Sequence, residues 1–161
     1  MLDWSKAINA AVADIVRNVP PFPGVRESLE KLSGRADCIV VSATPGEALQ
    51  REWDEHGLSK YAAVIAGQEM GTKAEHLALT AAGKYPPDRI LVVGDAPGDL
   101  HAARKNKALF YPVRPGHEEA SWEQLHKEAL DKFFAGTYAG GYEASLIAEF
   151  DKLLPEHPPW T

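Results

Sequence analysis

Cysteine is almost missing from this chain: Cys38 is the one thiol in 161 residues, so no internal disulfide can form. Nothing calls for an oxidising compartment, and the reading is cytoplasmic. Positive charge is also scarce. Seventeen Lys and Arg against 23 Asp and Glu leave a formal net charge of -6, and no dense basic cluster offsets it, which argues against a nucleic-acid partner. No apolar run approaches the ~20 residues of a bilayer span, and Met1-Leu2-Asp3-Trp4 lacks the basic start of a signal peptide, so no membrane association is expected. The nucleotide loops GxGxxG and GxxxxGK[ST] do not occur; Gly71-Thr72-Lys73 only echoes the end of the second. Internal repeats and low-complexity tracts are absent too. What remains is 45% hydrophobic and 25% charged, the balance of a soluble domain with one core.

Ile8, Ala11, Val12, Ile15, Val16 and Val19 recur at helical spacing, predicting a helix over residues 5–19 that Pro20 stops. After the stiff Pro20–Gly24 link, Val25, Leu29 and Leu32 stripe a short helix ending near Gly34. Cys38–Val41 is a β-branched run ending at the hydroxyl-rich turn Ser42-Ala43-Thr44. A helix over 47–56, a strand over 62–66, a helix after Lys73, a strand over 90–93, a helix from Leu100 and a strand over 108–111 follow. Trp122, Leu125, Ala129 and Phe133 stripe one further helix, and Leu146, Ile147, Phe150 and Leu153 another, with a break at 136–141. Alternation of strand and helix predicts an α/β class: a Rossmann-like parallel sheet with helices on both faces. Three regions result: an N-terminal helix over 1–20, an α/β core over 21–116 and C-terminal helices over 117–161, with a loosely held Pro-rich tail.

The core is organised around Ile90-Leu91-Val92-Val93-Gly94-Asp95-Ala96-Pro97-Gly98-Asp99. Its apolar run predicts a strand buried on both faces, and Gly94 turns the chain so that two carboxylates follow at i and i+4. Ligands of open α/β sheets bind at the carboxyl ends of strands, and two carboxylates held there repel unless a cation lies between them. Mg²⁺, which is usually held by one or two carboxylates plus waters and phosphate oxygens, suits so sparse a site. The competing reading is that Asp99 only caps the helix that follows. Ser42 and Lys73 fall at another strand end and a helix start. A hydroxyl can bond a phosphoryl oxygen and an ammonium can neutralise its charge, although each residue alone is an ordinary turn or surface group.

In this order Val40-Val41-Ser42-Ala43-Thr44, Gly71-Thr72-Lys73 and Gly94–Asp99 resemble the second, third and fourth motifs of the haloacid dehalogenase-like (HAD) superfamily, over residues 21–113. Phe22-Pro23-Gly24-Val25 is similar to that family's return from a helical cap into its core. The resemblance implies a HAD-like core and a Mg²⁺-dependent phosphatase-type hydrolase acting on a small phosphorylated metabolite. It assigns phosphate binding to Ser42 and Ala43, charge neutralisation and catalysis to Lys73, and Mg²⁺ to Asp95 together with Asp99, Asp95 also being catalytic; of the two, Asp95 is expected to contact the ion with Asp99 supporting it.

The family's first motif, DxD, supplies the nucleophile and the general acid/base, and no D-x-D occurs in this sequence. The central strand that carries it is missing as well, as are most of the cap and the substrate selection a cap provides. The helix over 5–19 would then resemble the last cap helix, as if the chain began partway through a longer protein. Covalent catalysis needs the absent carboxylate, so the chain alone is expected to be inactive. The alternative is a non-catalytic protein that keeps the fold for binding or assembly. Strands that lack a central neighbour must pair directly, leave a gap, or accept a strand from another chain, the last giving a homodimer. A receiver-like signalling domain also clusters aspartates around Mg²⁺, but its acidic pair after the first strand is not evident here.

Overall fold

A computed structural model describes residues 19–81 and 83–154; the helix expected over 5–19, save Val19, and the tail from Pro155 lie outside them. The elements run α1 Val25–Leu32, β1 Ile39–Val41, α2 Gly46–Glu55, β2 Val64–Ala66, α3 Lys73–Thr80, β3 Leu91–Gly94, α4 Pro97–Lys105, β4 Leu109–Pro112, α5 Glu118–Gln124, α6 Leu130–Ala135 and α7 Gly141–Leu153. Short 3₁₀ turns at Ser59–Tyr61, Gln68–Met70 and Pro87–Arg89 lead between elements. The class is mixed α/β. None of its described helices is long and apolar enough to cross a membrane.

β1 pairs with β2 and β3 with β4, both in parallel, each pair joined through one helix as parallel neighbours require. Val40 stands opposite Ile65 in the first ladder and Val92 opposite Phe110 in the second. The continuous parallel sheet expected from the alternation is therefore not observed among the described residues. Two separate two-stranded sheets stand in its place, because no described strand supplies hydrogen bonds between the two pairs. The chain divides correspondingly: Leu32–Met70 lies in one compact unit, and Phe22–Lys31 with the chain from Gly71 lies in a second.

In the second unit, β4 is buried along its whole length. Leu100 and Ala103 of α4, Phe110 of β4 and Phe150 of α7 form its centre, with Phe110 and Phe150 tilted at a ring separation of 5.9 Å. β3 differs from expectation. Ile90 before it is 7% exposed, but Leu91 and Val92 are half-buried and Val93 is 38% exposed, and among the described strands β3 has a neighbour on one side only. The helix expected through Trp122 to Phe133 is continuous but not uniform: Leu125–Ala129 is a π-helical turn between α5 and α6. Gly136, left-handed at φ 73°, ends it where the break was expected.

Candidate functional site

β3 delivers Gly94, Asp95 and Ala96 to the start of α4. That helix begins at Pro97 rather than at Leu100, because proline suits a first helical position whose N–H would be unpaired in any case. Asp99 is thereby the third helical residue, and its Oδ2 accepts the Ala96 N–H at 3.2 Å. Gly94 lies against this carboxylate so closely that a Cβ would stand 2.4 Å from Asp99 Cγ and Oδ2. Glycine is therefore required here by contact, not by backbone angle.

The other oxygen, Oδ1, takes Lys73 Nζ at 2.5 Å. Lys73 is the first residue of α3, whose start is fixed by a capping box: Thr72 Oγ1 accepts the Glu75 N–H at 3.3 Å, and Glu75 Oε2 accepts the Thr72 N–H at 2.9 Å. The Thr72 N–H bond, joined by the Thr72 hydroxyl, holds the Glu75 carboxyl below its usual range. Asn106 ties the two helices, donating through Nδ2 to Ala74 O at 3.2 Å and Ala102 O at 3.0 Å. The Asp99 side chain is 3% exposed while that of Lys73 is 43% exposed, so one end of the pair is dry and the other meets solvent.

Asp95 stands in the same turn, exposed, and its carboxylate has no hydrogen bond or ion pair among the described residues. The structure thus joins Lys73 and Asp99 and places Asp95 four residues before the latter with its oxygens available.

Residues 2–113 match the sequence profile of the haloacid dehalogenase-like hydrolase family, more than half of the chain. The chain belongs to this family. Comparison with curated proteins and with solved structures finds no significant match. In this haloacid dehalogenase-like chain, Ser42 lies in the first compact unit, directly after β1, with its N–H on Ala66 O at 3.0 Å. Its hydroxyl is folded back on its own turn, donating to Thr44 Oγ1 and accepting the Thr44 N–H, each at 3.1 Å. Ala43 is exposed between them.

Glu69 was not singled out by the sequence. Its two carboxylate oxygens take the Gly46 N–H, the first of α2, at 3.1 and 3.2 Å, and Gly67 approaches so closely that a Cβ would stand 2.3 Å from Gly46 N. Glu69 and Gly46 are 23 residues apart, a separation to which hydrophobic periodicity is blind.

The fit to Mg²⁺ follows from the donors. Among the described residues no group of three or more His, Cys, Asp or Glu side chains is arranged to hold a metal. Asp95 fits as the one carboxylate of a water-rich site. Asp99, with both oxygens bonded, fits as support to Lys73 and the turn and not as a direct ligand unless it gives up one of those bonds.

Proposed function

We propose that this chain carries the magnesium- and phosphoryl-binding part of a phosphomonoester hydrolase acting on a small phosphorylated metabolite, without the nucleophile that completes it. The observation supporting this reading is the turn after β3: a buried carboxylate holding an ammonium in place, beside an exposed carboxylate that no described residue neutralises. Asp99 fixes the direction of Lys73, whose half-exposed ammonium can neutralise a phosphoryl oxygen. Asp95 would hold Mg²⁺, which supplies charge stabilisation for phosphoryl transfer. Ser42 and Ala43 lie in the other compact unit, and their assignment to the phosphoryl group rests on the family resemblance alone. An aspartyl-phosphate route needs a carboxylate nucleophile, and no D-x-D occurs in the sequence, so positioning and charge alone do not give turnover.

A second reading, binding without catalysis, is favoured by the saturation of Asp99 and by Glu69 standing on the first N–H of α2. Both carboxylates are satisfied by protein alone. Calorimetry with Mg²⁺ separates the cases: weak binding by the native chain, lost in Asp95→Asn, is expected of the hydrolase part, and unchanged binding in that variant rejects the assignment. Incubation with Mg²⁺ and a generic aryl phosphate should release no product. Magnesium-dependent turnover that vanishes in Asp95→Asn would instead reveal a nucleophile within the chain.

A further inference from the structure

The Lys73–Asp99 pair is too wet to hold α3 against α4. Its lysine end is 43% exposed, and an ion pair that meets water contributes little, so the helix must place the pair and not the pair the helix. α3 has few other means of attachment. His76 is its one buried side chain, and its capping box joins Thr72 to Glu75 within the helix itself.

A second tie comes from the far end of α4. Asn106 caps that helix, and its Nδ2 donates to Ala102 O at 3.0 Å and to Ala74 O at 3.2 Å. Both partners are carbonyls, which only accept, so the amide must turn its NH₂ group toward them and both of its protons are spent there. Ala74 directly follows Lys73. The turn that aims the amide has an unusual backbone: Lys107 is the one non-glycine residue with left-handed angles among the described residues, at φ 56°. This conformation lets Lys107 N–H reach Arg104 O at 3.1 Å and Ala108 N–H reach Ala103 O at 2.9 Å, closing the end of α4 around Asn106.

We propose, resting on the reading of Lys73 as the group that neutralises a phosphoryl oxygen, that Asn106 is the positioning residue of Lys73. α4 holds α3 twice: Asp99 in its first turn takes the lysine ammonium, and Asn106 past its last turn takes the carbonyl of the next residue. Seven residues of helix separate the two holds by about 10 Å, so the lysine stem is drawn along α4 between a fixed backbone and a fixed carboxylate. An ammonium placed in advance has less freedom to lose when an anion arrives. Asp95 gains nothing from this, since Asn106 has no proton left to give it.

Proton–carbon NMR of the full chain, labelled in its lysine ε-methylene groups and titrated with inorganic phosphate at fixed Mg²⁺, tests the assignment. The two Lys73 ε-protons of the native chain should resolve, as on an ammonium held in one geometry, and should shift as phosphate is added. In Asn106→Ala they should merge, phosphate affinity should fall at least about threefold, and Mg²⁺ affinity by calorimetry should stay as it was. Native ε-proton signals in that variant overturn the proposal. So does loss of Mg²⁺ binding together with phosphate binding, which would mean that the whole turn after β3 has failed. Resolved native ε-protons that ignore phosphate refute the phosphoryl reading of Lys73, while their merging or persistence in Asn106→Ala still decides the positioning. Lys107→Gly keeps the left-handed turn and relieves it, so signals and affinity should remain native; their loss would place Lys73 by the turn and not by the amide, and the assignment falls. Should Asn106→Ala lose its far-UV circular dichroism, Asn106→Ala combined with Lys107→Gly supplies the same reading on a relaxed turn.

Discussion

Gly94 and Asp99 are fitted to each other, and Lys73 is placed by the result. The Asp99 carboxylate occupies the space of a Gly94 side chain, and its two oxygens divide between the Ala96 N–H and the Lys73 ammonium. Gly94→Ala must therefore push Asp99 out of the turn, with an expected loss of about 1–3 kcal/mol in denaturant unfolding. The same substitution should release the Asn106–Ala74 tie between α3 and α4, seen as faster exchange in the first turn of α3. Unchanged stability and exchange would mean that the turn has room to shift. Asp95, Asp99 and the glycine between strand and helix are visible in sequence as a strand-end acidic motif. Their division of labour is not, since Asp95 and Asp99 look alike in sequence and differ in what the turn and α3 bring to Asp99, the Ala96 N–H and the Lys73 ammonium. Glu69 was illegible for the same reason.

Regular elements were read from spacing wherever one face is buried. α1, α2, α7 and all four strands stand within a few residues of where β-branched runs and apolar stripes put them, because those patterns report burial directly. α4 begins three residues before the apolar spacing puts it, because Pro97 serves as its first helical residue. The π turn at Leu125–Ala129 left no mark in the stripe Trp122, Leu125, Ala129, Phe133. A further backbone bond explains how such a turn is held: Lys31 Nζ reaches His126 O at 2.7 Å and Asp131 Oδ1 at 2.7 Å, linking α1 to the distorted segment. Lys31→Met keeps much of the apolar stem and removes both bonds. It should cost about 1 kcal/mol, with amide exchange rising over 125–131 rather than in α7. A cost spread evenly over the second unit would place the support for the turn elsewhere.

At the scale of the molecule, the sheet was where sequence reasoning failed. Four apolar residues before Gly94 imply a strand covered on both faces, but burial of a strand depends on its neighbours, and β3 has one among the described strands. β4 is the buried strand, closed by Tyr111 and Tyr138, each 1% exposed, whose hydroxyls donate to Ser121 O at 2.5 Å and Phe110 O at 2.7 Å. Their burial raises both phenols well above the ordinary range, with the Glu143 charge adding to the effect on Tyr138, and burial pushes Tyr142 up to about 12. A raised folded-state value means that the native chain keeps protons the unfolded chain releases. The stabilising contribution is therefore whole below the ordinary phenol value of about 10 and falls as pH climbs beyond it, by at most about 1.4 kcal/mol per unit for Tyr111 and for Tyr138, and by less for Tyr142, which solvent screens. Burial of the Cys38 thiol works in the same direction. Absorbance of phenolate against pH tests this, since Tyr111, Tyr138 and Tyr142 should not ionise near the ordinary phenol value. Their signal should rise only together with loss of far-UV circular dichroism. Tyr138→Phe removes one of the three and should flatten the alkaline decline, while costing about 1–2 kcal/mol at neutral pH because Phe110 O loses its donor. Titration of Tyr111, Tyr138 and Tyr142 near about pH 10 with the fold intact would show that β4 is open to water.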